Sequence, residues 1–110
     1  MASVFKNAVT AGVGTSTTSV YTVPAGSTAT VIGLTVSNTT GSNVTTDVQV
    51  TDTSASATVY LVKAANVPVG GALVPIGGEQ KIVLETGDVL KVTSSASASL
   101  DVTVSILEQS

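Results

Sequence analysis

The chain contains no cysteine and no histidine among its 110 residues. Without cysteine, the sequence excludes disulfides, thiol chemistry and zinc–thiolate sites. Without histidine or cysteine, the Ser–His and Cys–His pairs that activate most protein nucleophiles are also missing. A serine–lysine pair remains formally possible, but no serine lies in a recognisable lysine-spaced motif. We therefore expect no catalytic residues, no cofactor and a protein that is not an enzyme.

Charge is also scarce, since only 10% of the residues are charged and the net charge is −3. The four basic residues are all lysines, and they are scattered along the chain. A nucleic-acid or anionic-membrane surface needs clustered basic side chains. We therefore expect neither nucleic acid nor membrane as a partner. No run reaches the ~20 apolar residues of a transmembrane helix, and the first residues lack the apolar region of a signal peptide, so we expect assembly inside the cell.

Aromatic residues make up 3% of the chain, and they are Phe5, Tyr21 and Tyr60. Sugar rings stack on tryptophan and tyrosine, so a glycan-binding or adhesin domain would depend on the two tyrosines. That function stays open as an alternative. The apolar residues are mostly valine and, with the many threonines, they favour a pleated sheet with an aliphatic core.

Short alternating apolar segments separated by turn residues recur along the whole chain, and none has helical periodicity. The length suits one domain. The pattern predicts an all-β, antiparallel two-sheet β-sandwich of eight or nine short strands, as a jelly roll or a Greek key. The predicted strands are 20–23, 28–38, 44–52, 58–63, 72–74, 81–84, 89–94 and 100–107, with a further strand possible near the start.

Two hairpins are predicted from turn chemistry. Gly87 and Asp88 follow residues 81–84 and precede residues 89–94, which indicates a strand, a tight turn and a strand that pairs back. Residues 28–38 and 44–52 are likewise predicted to pair. In the first of these, Ile32, Leu34 and Val36 are expected to share one face, and Gly33 to mark a bulge or a close backbone approach.

Inward positions follow from the same alternation. In 44–52 they are Val44, Val48 and Val50, and in 100–107 they are Leu100, Val102, Val104 and Ile106. In 58–63 either Val59 and Leu61 or Tyr60 and Val62 point inward, since a shift of one residue exchanges the two sets.

Residues 1–13 form either an N-terminal strand or an arm that docks on a neighbour, and residues 14–110 form the sandwich. Within this segment we predict Val4, Phe5 and Val9 as a protein interface. The alternative places Phe5 in the protein's own core, because large apolar residues are usually buried.

Carboxylates are the only other groups with metal-binding chemistry. No EF-hand pattern is present. Asp52 with its neighbouring hydroxyls, or Glu85 with Asp88, could join a weak Ca²⁺ site. Turn capping explains these residues better, so no metal site is predicted, and Asp88 is expected to stabilise its turn.

Several segments together resemble small β-sandwich virion proteins of tailed bacteriophages, including capsid decoration (cement) proteins. The segments are Tyr21-Thr-Val-Pro-Ala-Gly26, Val31-Ile-Gly-Leu-Thr-Val-Ser-Asn38, Val48-Gln-Val-Thr-Asp52, Gly87-Asp-Val-Leu-Lys-Val92 and Ser105-Ile-Leu-Glu108. The resemblance implies a homo-oligomeric, non-enzymatic structural protein in the virion, assembled in the host cytoplasm. It would bind other virion proteins, foremost the major capsid protein, and brace neighbouring shell subunits. A tail, neck or fibre component is the alternative within the same particle.

Overall fold

The computed structural model describes residues 3–77 and 81–110 of the chain. These residues form strands and connecting loops, without a helix. The nine strands are β1 (Ser3–Val13), β2 (Thr18–Thr22), β3 (Thr28–Asn38), β4 (Val44–Asp52), β5 (Ala57–Val67), β6 (Ala72–Ile76), β7 (Ile82–Leu84), β8 (Val89–Ser94) and β9 (Leu100–Gln109). The prediction of an all-β chain with eight or nine strands is confirmed.

Two antiparallel sheets pack face to face. Sheet A has the order β1-β9-β3-β6, and β7 pairs with the part of β3 that β6 does not cover; sheet B has the order β2-β8-β4-β5. The pairs β1–β9, β2–β8, β3–β6 and β4–β5 are nested in the sequence. This nesting is the strand pairing of a jelly roll, with β7 as an additional strand.

The core lies between the sheets and is almost entirely aliphatic. The predicted inward residues of β9 are buried, and so are Val44, Val48 and Val50 of β4. Tyr21 is the one aromatic residue within this core, and it is 8% exposed. Alternating valines and leucines therefore predict the buried faces of these two strands correctly.

Both predicted hairpins are wrong. β7 pairs with β3 in sheet A, whereas β8 pairs with β2 and β4 in sheet B. Likewise β3 and β4 lie in opposite sheets. The turn itself is present, because Gly87 has a φ of +86° and the Asp88 amide donates to the Glu85 carbonyl at 2.9 Å. The turn carries the chain from sheet A to sheet B. The same alternation of apolar residues would also fit a hairpin within one sheet, so it does not distinguish the two arrangements.

The prediction that Ile32 shares a face of β3 with Leu34 and Val36 is wrong for Ile32. The register with β9 shifts between Val31 and Gly33, which confirms the predicted irregularity at this glycine. A bulge adds one residue and reverses the alternation that follows. Val31 and Leu34 are therefore both buried, while Ile32 is only half-buried on the opposite face.

Strand β5 runs to Val67, four residues beyond the predicted end at Lys63. The register with β4 shifts near Val48, and Ala64 adopts a φ of +53°. The Ala64 amide donates to Asp47 Oδ1 at 2.7 Å, which satisfies the backbone at the irregular position. The strand can then resume its pairing, so the polar and small residues after Lys63 do not end it.

Strand β1 pairs with β9 from Ser3 to Val13. The alternative that places Phe5 in the core is wrong, because its side chain is 77% exposed. Phe5 lies opposite Leu107, in the row of β9 that points away from the other sheet. The β9 residues on the side of the sheet where Phe5 lies are therefore not core residues. The hydrophobicity of Phe5 alone could not show this.

Candidate functional site

One row of side chains on the outward face of sheet A crosses four strands, and three of its four members are large and apolar. Phe5 lies opposite Leu107, Leu107 opposite Thr30, and Thr30 opposite Val83. Phe5 is 77% exposed and Val83 is 68% exposed. Side chains in register on one face of a sheet are neighbours. The row is therefore a strip of exposed apolar surface, which we call the sheet A strip (Phe5, Leu107, Thr30 and Val83).

A shallow groove borders the strip. Its volume is about 330 Å³, and it is lined by Phe5, Lys6, Asn7, Ile32, Ser105 and Ile106. Val9, which is 71% exposed, lies beyond it on the same outward face, opposite Thr103. The apolar surface of sheet A thus continues from the strip along β1.

The outward face of sheet B has a different character. Its equivalent row contains Ser19, Lys91, Gln49 and Tyr60 on four paired strands. In the next row Thr51 Oγ1 and Thr58 Oγ1 are 3.0 Å apart and share a hydrogen bond. This face is largely polar, as expected for a sheet that faces water. The two outward faces therefore differ, and sheet A is the better candidate for contact with another protein.

The structure separates the three predicted interface residues. Phe5 and Val9 share the outward face, but Val4 lies opposite Glu108, in the row of β9 that continues from buried Ile106. The sequence prediction does not include Val83, because it treats residues 81–84 only as one strand of a hairpin. Its position between the inward residues Ile82 and Leu84 was the signal that it points outward.

A hydrogen-bonded group joins the two sheets where β1, β2 and β9 meet. The Tyr21 hydroxyl donates to Glu108 Oε2 at 2.5 Å, and Lys6 Nζ lies 3.3 Å from the same oxygen. The hydrogen bond from Tyr21 has the largest effect and lowers the pKa of Glu108, burial partly opposes it, and the hydrogen bond and charge of Lys6 lower the pKa further. Burial, together with Glu108, raises the pKa of Tyr21.

These shifts predict how stability depends on pH. Because the folded protein lowers the pKa of Glu108, its contribution is complete above the ordinary glutamate value of about 4.3 and is lost as the pH falls through the folded value. The raised pKa of Tyr21 gives a contribution that is complete below about pH 10 and is lost as the pH rises from there through the higher folded value. We expect Glu108→Gln to be less stable than the natural chain at pH 7, with a smaller difference at pH 3. Urea unfolding followed by circular dichroism measures this, and an unchanged difference would contradict it.

Three carboxylates converge at the corner between β4 and the β7–β8 turn. One oxygen each from Asp52, Glu85 and Asp88 lies within 4.8 Å of the others. Asp52 Oδ1 accepts from Ser54 Oγ at 2.9 Å and from the Ala55 amide at 3.0 Å, and the Ala55 hydrogen bond lowers the pKa of Asp52. These are the residues that could contribute oxygen ligands to Ca²⁺, but local hydrogen bonds already account for the position of Asp52.

Asp88 is buried at the same corner and stabilises it through hydrogen bonds. It is 3% exposed, and its two oxygens accept from the Thr53 amide at 3.1 Å and the Glu85 amide at 2.9 Å. One of these bonds closes the turn, and the other joins it to the loop after β4. Asp88 therefore connects two loops that are distant in sequence, which goes beyond the single-turn role predicted from its position beside Gly87.

We expect Asp88→Ala to lower the free energy of unfolding by about 2–3 kcal/mol, because hydrogen bonds to a charged acceptor are worth about 1.5–3 kcal/mol each and do not add fully. Asp88→Asn keeps one acceptor oxygen but turns its NH2 group toward the other backbone N–H, so we expect it to be at least as destabilising as Asp88→Ala. Urea denaturation of both variants checks this. Equal stability of all three chains would show that Asp88 does not support the corner.

The two tyrosines are not arranged as a sugar-binding platform. Tyr21 is buried in the core, so the prediction that it could stack on a glycan is wrong. Tyr60 is exposed, but Lys63 Nζ lies 4.5 Å from its ring centroid and covers one face of the ring. Nearby, a cleft of about 230 Å³ is lined by small polar residues together with Asp47 and Lys63. It contains no aromatic residue on which a sugar could stack.

Comparison of the chain with protein-family models, curated proteins and solved structures finds no match. Within residues 3–77 and 81–110, no helix is long and apolar enough to cross a membrane.

Proposed function

We propose that this chain is a non-enzymatic structural protein that binds a larger protein assembly through the outward face of sheet A. One observation supports this above the others: Phe5, Val9 and Val83 are each more than two-thirds exposed on that face. Apolar surface of this kind commonly marks a protein–protein interface. The polar outward face of sheet B would then remain in contact with water.

The free energy expected from burial of these side chains supports binding to a large surface. Burial of an exposed phenylalanine or valine contributes about 1.5–3 kcal/mol. Three such residues, with Ile32 and Leu107 beside them, contribute several kcal/mol gross, part of which is offset by the cost of association. A single copy would bind weakly, but many copies on a repeating surface would together brace it.

The finer proposal is a capsid decoration protein of a tailed bacteriophage, bound to the major capsid protein on the outside of the shell. This assignment rests on the resemblance of the sequence segments given above. A jelly roll with one apolar outward face and one polar face suits the role, since one face meets the shell while the other meets solvent. A tail, neck or fibre component would use the same surface at a lower copy number.

The second candidate, a glycan-binding or adhesin domain, has weaker support. Tyr21 is buried and one ring face of Tyr60 is covered by Lys63. Stacking on a sugar would first have to displace the lysine. No observation favours this candidate over assembly.

Mass spectrometry of particles purified from the source of the sequence tests the proposal. A shell protein is expected in copy numbers comparable to the major capsid protein. A few copies per particle would place the chain in the tail, neck or fibre. Its complete absence from intact particles would overturn the virion assignment, while leaving open whether sheet A binds another assembly.

A further inference from the structure

Each sheet of the sandwich has two edges. In sheet A these are β1 on one side and β6 with β7 on the other, and in sheet B they are β2 and β5. An edge strand presents unpaired backbone amides and carbonyls, to which another strand can add. Proteins commonly prevent such addition by short strands, prolines, bulges or charges at the edge.

Three of these sides show that kind of protection. β6 has five residues and includes Pro75, and β7 has three residues. β2 has five residues, with a register shift between Ser19 and Tyr21. β5 is long, but its register with β4 shifts twice, and it carries Lys63 beside the irregular Ala64. Addition of a regular strand is impeded at each of these sides.

Strand β1 has no such protection along most of its length. It has eleven residues and no proline, and its register with β9 is unbroken from Ser3 to Thr10. Its one charged residue is Lys6, whose Nζ lies 3.3 Å from Glu108 Oε2 of the same chain. Because its charge is already paired, Lys6 does little to repel another strand.

We propose that a second copy of this chain adds to β1 as an antiparallel strand, about a two-fold axis at Asn7. Facing residues of an antiparallel pair point to the same side of the sheet, so the axis must pass through a residue rather than between two. Centred on Asn7, the pairing places Phe5 opposite Val9 of the second copy, and does so twice. Lys6 then faces Ala8 of the second copy.

Neighbouring centres are less favourable. An axis at Lys6 would place two lysines opposite each other, and like charges directly opposite are destabilising. An axis at Ala8 would place Phe5 opposite Ala11, and Val9 opposite Asn7. Only the axis at Asn7 pairs the two most exposed apolar residues of the strand with each other. The self-complementary pattern also suits the isologous interface of a two-fold dimer.

The proposal concerns the edge of sheet A, and it does not rest on the docking of its outward face. Pairing at β1 would join the two sheets A into one continuous sheet. The sheet A strips of both copies would then lie on one side of it. A dimer would thus present a wider apolar surface than either copy alone.

Single cysteines test this register, because the chain has none of its own. Facing Cα atoms of an antiparallel pair are about 4.5–5.5 Å apart, within the range that a disulfide spans. We expect Asn7→Cys to form a cross-linked dimer on mild oxidation of the full chain. Phe5→Cys and Val9→Cys should not cross-link alone, since their like positions would be about 13 Å apart. An equimolar mixture of these two variants should cross-link.

Ser19→Cys is the matched control, since Ser19 is also exposed on an edge strand, in sheet B. It should stay monomeric under the same oxidation. Cross-linking of Phe5→Cys alone without Asn7→Cys would indicate face-to-face packing of copies and would overturn the proposal. So would a natural chain that sediments as a monomer at millimolar concentration. Such a monomer could still bind particles through sheet A, so the two proposals fail independently.

Discussion

Asn38→Asp is expected to destabilise the protein by about 3–5 kcal/mol at neutral pH, through changes in charge and hydrogen bonding with almost no change in shape. Asn38 ends β3 and is 4% exposed. Its amide nitrogen donates to the Ser42 carbonyl at 2.8 Å and to the Val67 carbonyl at 3.0 Å. Its oxygen accepts from the Thr40 amide at 2.9 Å and the Thr40 hydroxyl at 2.8 Å.

Every hydrogen-bonding group of this side chain is therefore used, and it links the end of sheet A to the end of β5 in sheet B. Aspartate would keep the two acceptor contacts but place a second oxygen against two carbonyls. A loss of this size is a large part of the 5–15 kcal/mol that stabilises a typical domain.

Urea denaturation at pH 7 and near pH 3 measures the effect. Because the carbonyls disfavour the charged form, the pKa of the introduced aspartate should rise on folding, so the loss should be smaller at low pH. Thr40→Val is the matched control, since it removes the hydroxyl donor to Asn38, together with the contacts of that hydroxyl to the Ser42 backbone, and should cost about 1–2 kcal/mol. A loss below 1 kcal/mol for Asn38→Asp at pH 7 would show that this link between the sheets is dispensable.

The double variant Phe5→Ser/Val83→Ser is expected to bind about a hundredfold more weakly to particles from which the native chain has been removed. The two residues occupy the two ends of the sheet A strip, on β1 and β7. Their burial at an interface is worth about 3 kcal/mol together, and each 1.4 kcal/mol changes the dissociation constant tenfold. Both side chains are largely exposed, so folding should be little affected.

Val59→Ser/Tyr60→Ser is the matched control, because it removes one exposed valine and one exposed aromatic residue from strand β5 of sheet B. Binding of this control should equal that of the natural chain. Rebinding measured by co-sedimentation separates the two cases. If the sheet B variant lost binding while the sheet A variant kept it, the docking surface would have to be reassigned.

The fold class and many buried positions could be predicted from local sequence, because each strand carries its own alternation. Leu100, Val102, Val104 and Ile106 are buried as predicted. The turn at Gly87 also exists, with a φ of +86°. Positive φ is a local requirement, so a glycine in a turn sequence reveals it.

The choice of strand partner could not be predicted in the same way. The residues between β7 and β8 specify a chain reversal, but not whether the next strand continues in the same sheet or crosses to the other. The pattern of buried residues does not distinguish the two, since both arrangements bury Leu84 and Leu90. A bulge has a similar effect, since a glycine within a strand indicates an irregularity but does not show that Ile32 changes face.

The candidate surface was only partly predictable for the same reason. Phe5 and Val9 were identified from one strand, whereas the sheet A strip exists only because β9, β3 and β7 are adjacent. The three-carboxylate corner is similar. Asp52 is more than thirty residues from Glu85 and Asp88 in sequence, and the pairing of β4 with β8 brings the three carboxylates within 4.8 Å.

Hydroxyl-radical footprinting of the chain, free and bound to the particle, tests the central claim most directly. Phe5 and Tyr60 are exposed and readily oxidised, and they lie on the outward faces of sheets A and B, respectively. Docking through sheet A predicts that Phe5 is oxidised in the free chain and protected in the particle, while Tyr60 is oxidised equally in both. Protection of Tyr60 with Phe5 still oxidised would contradict the account.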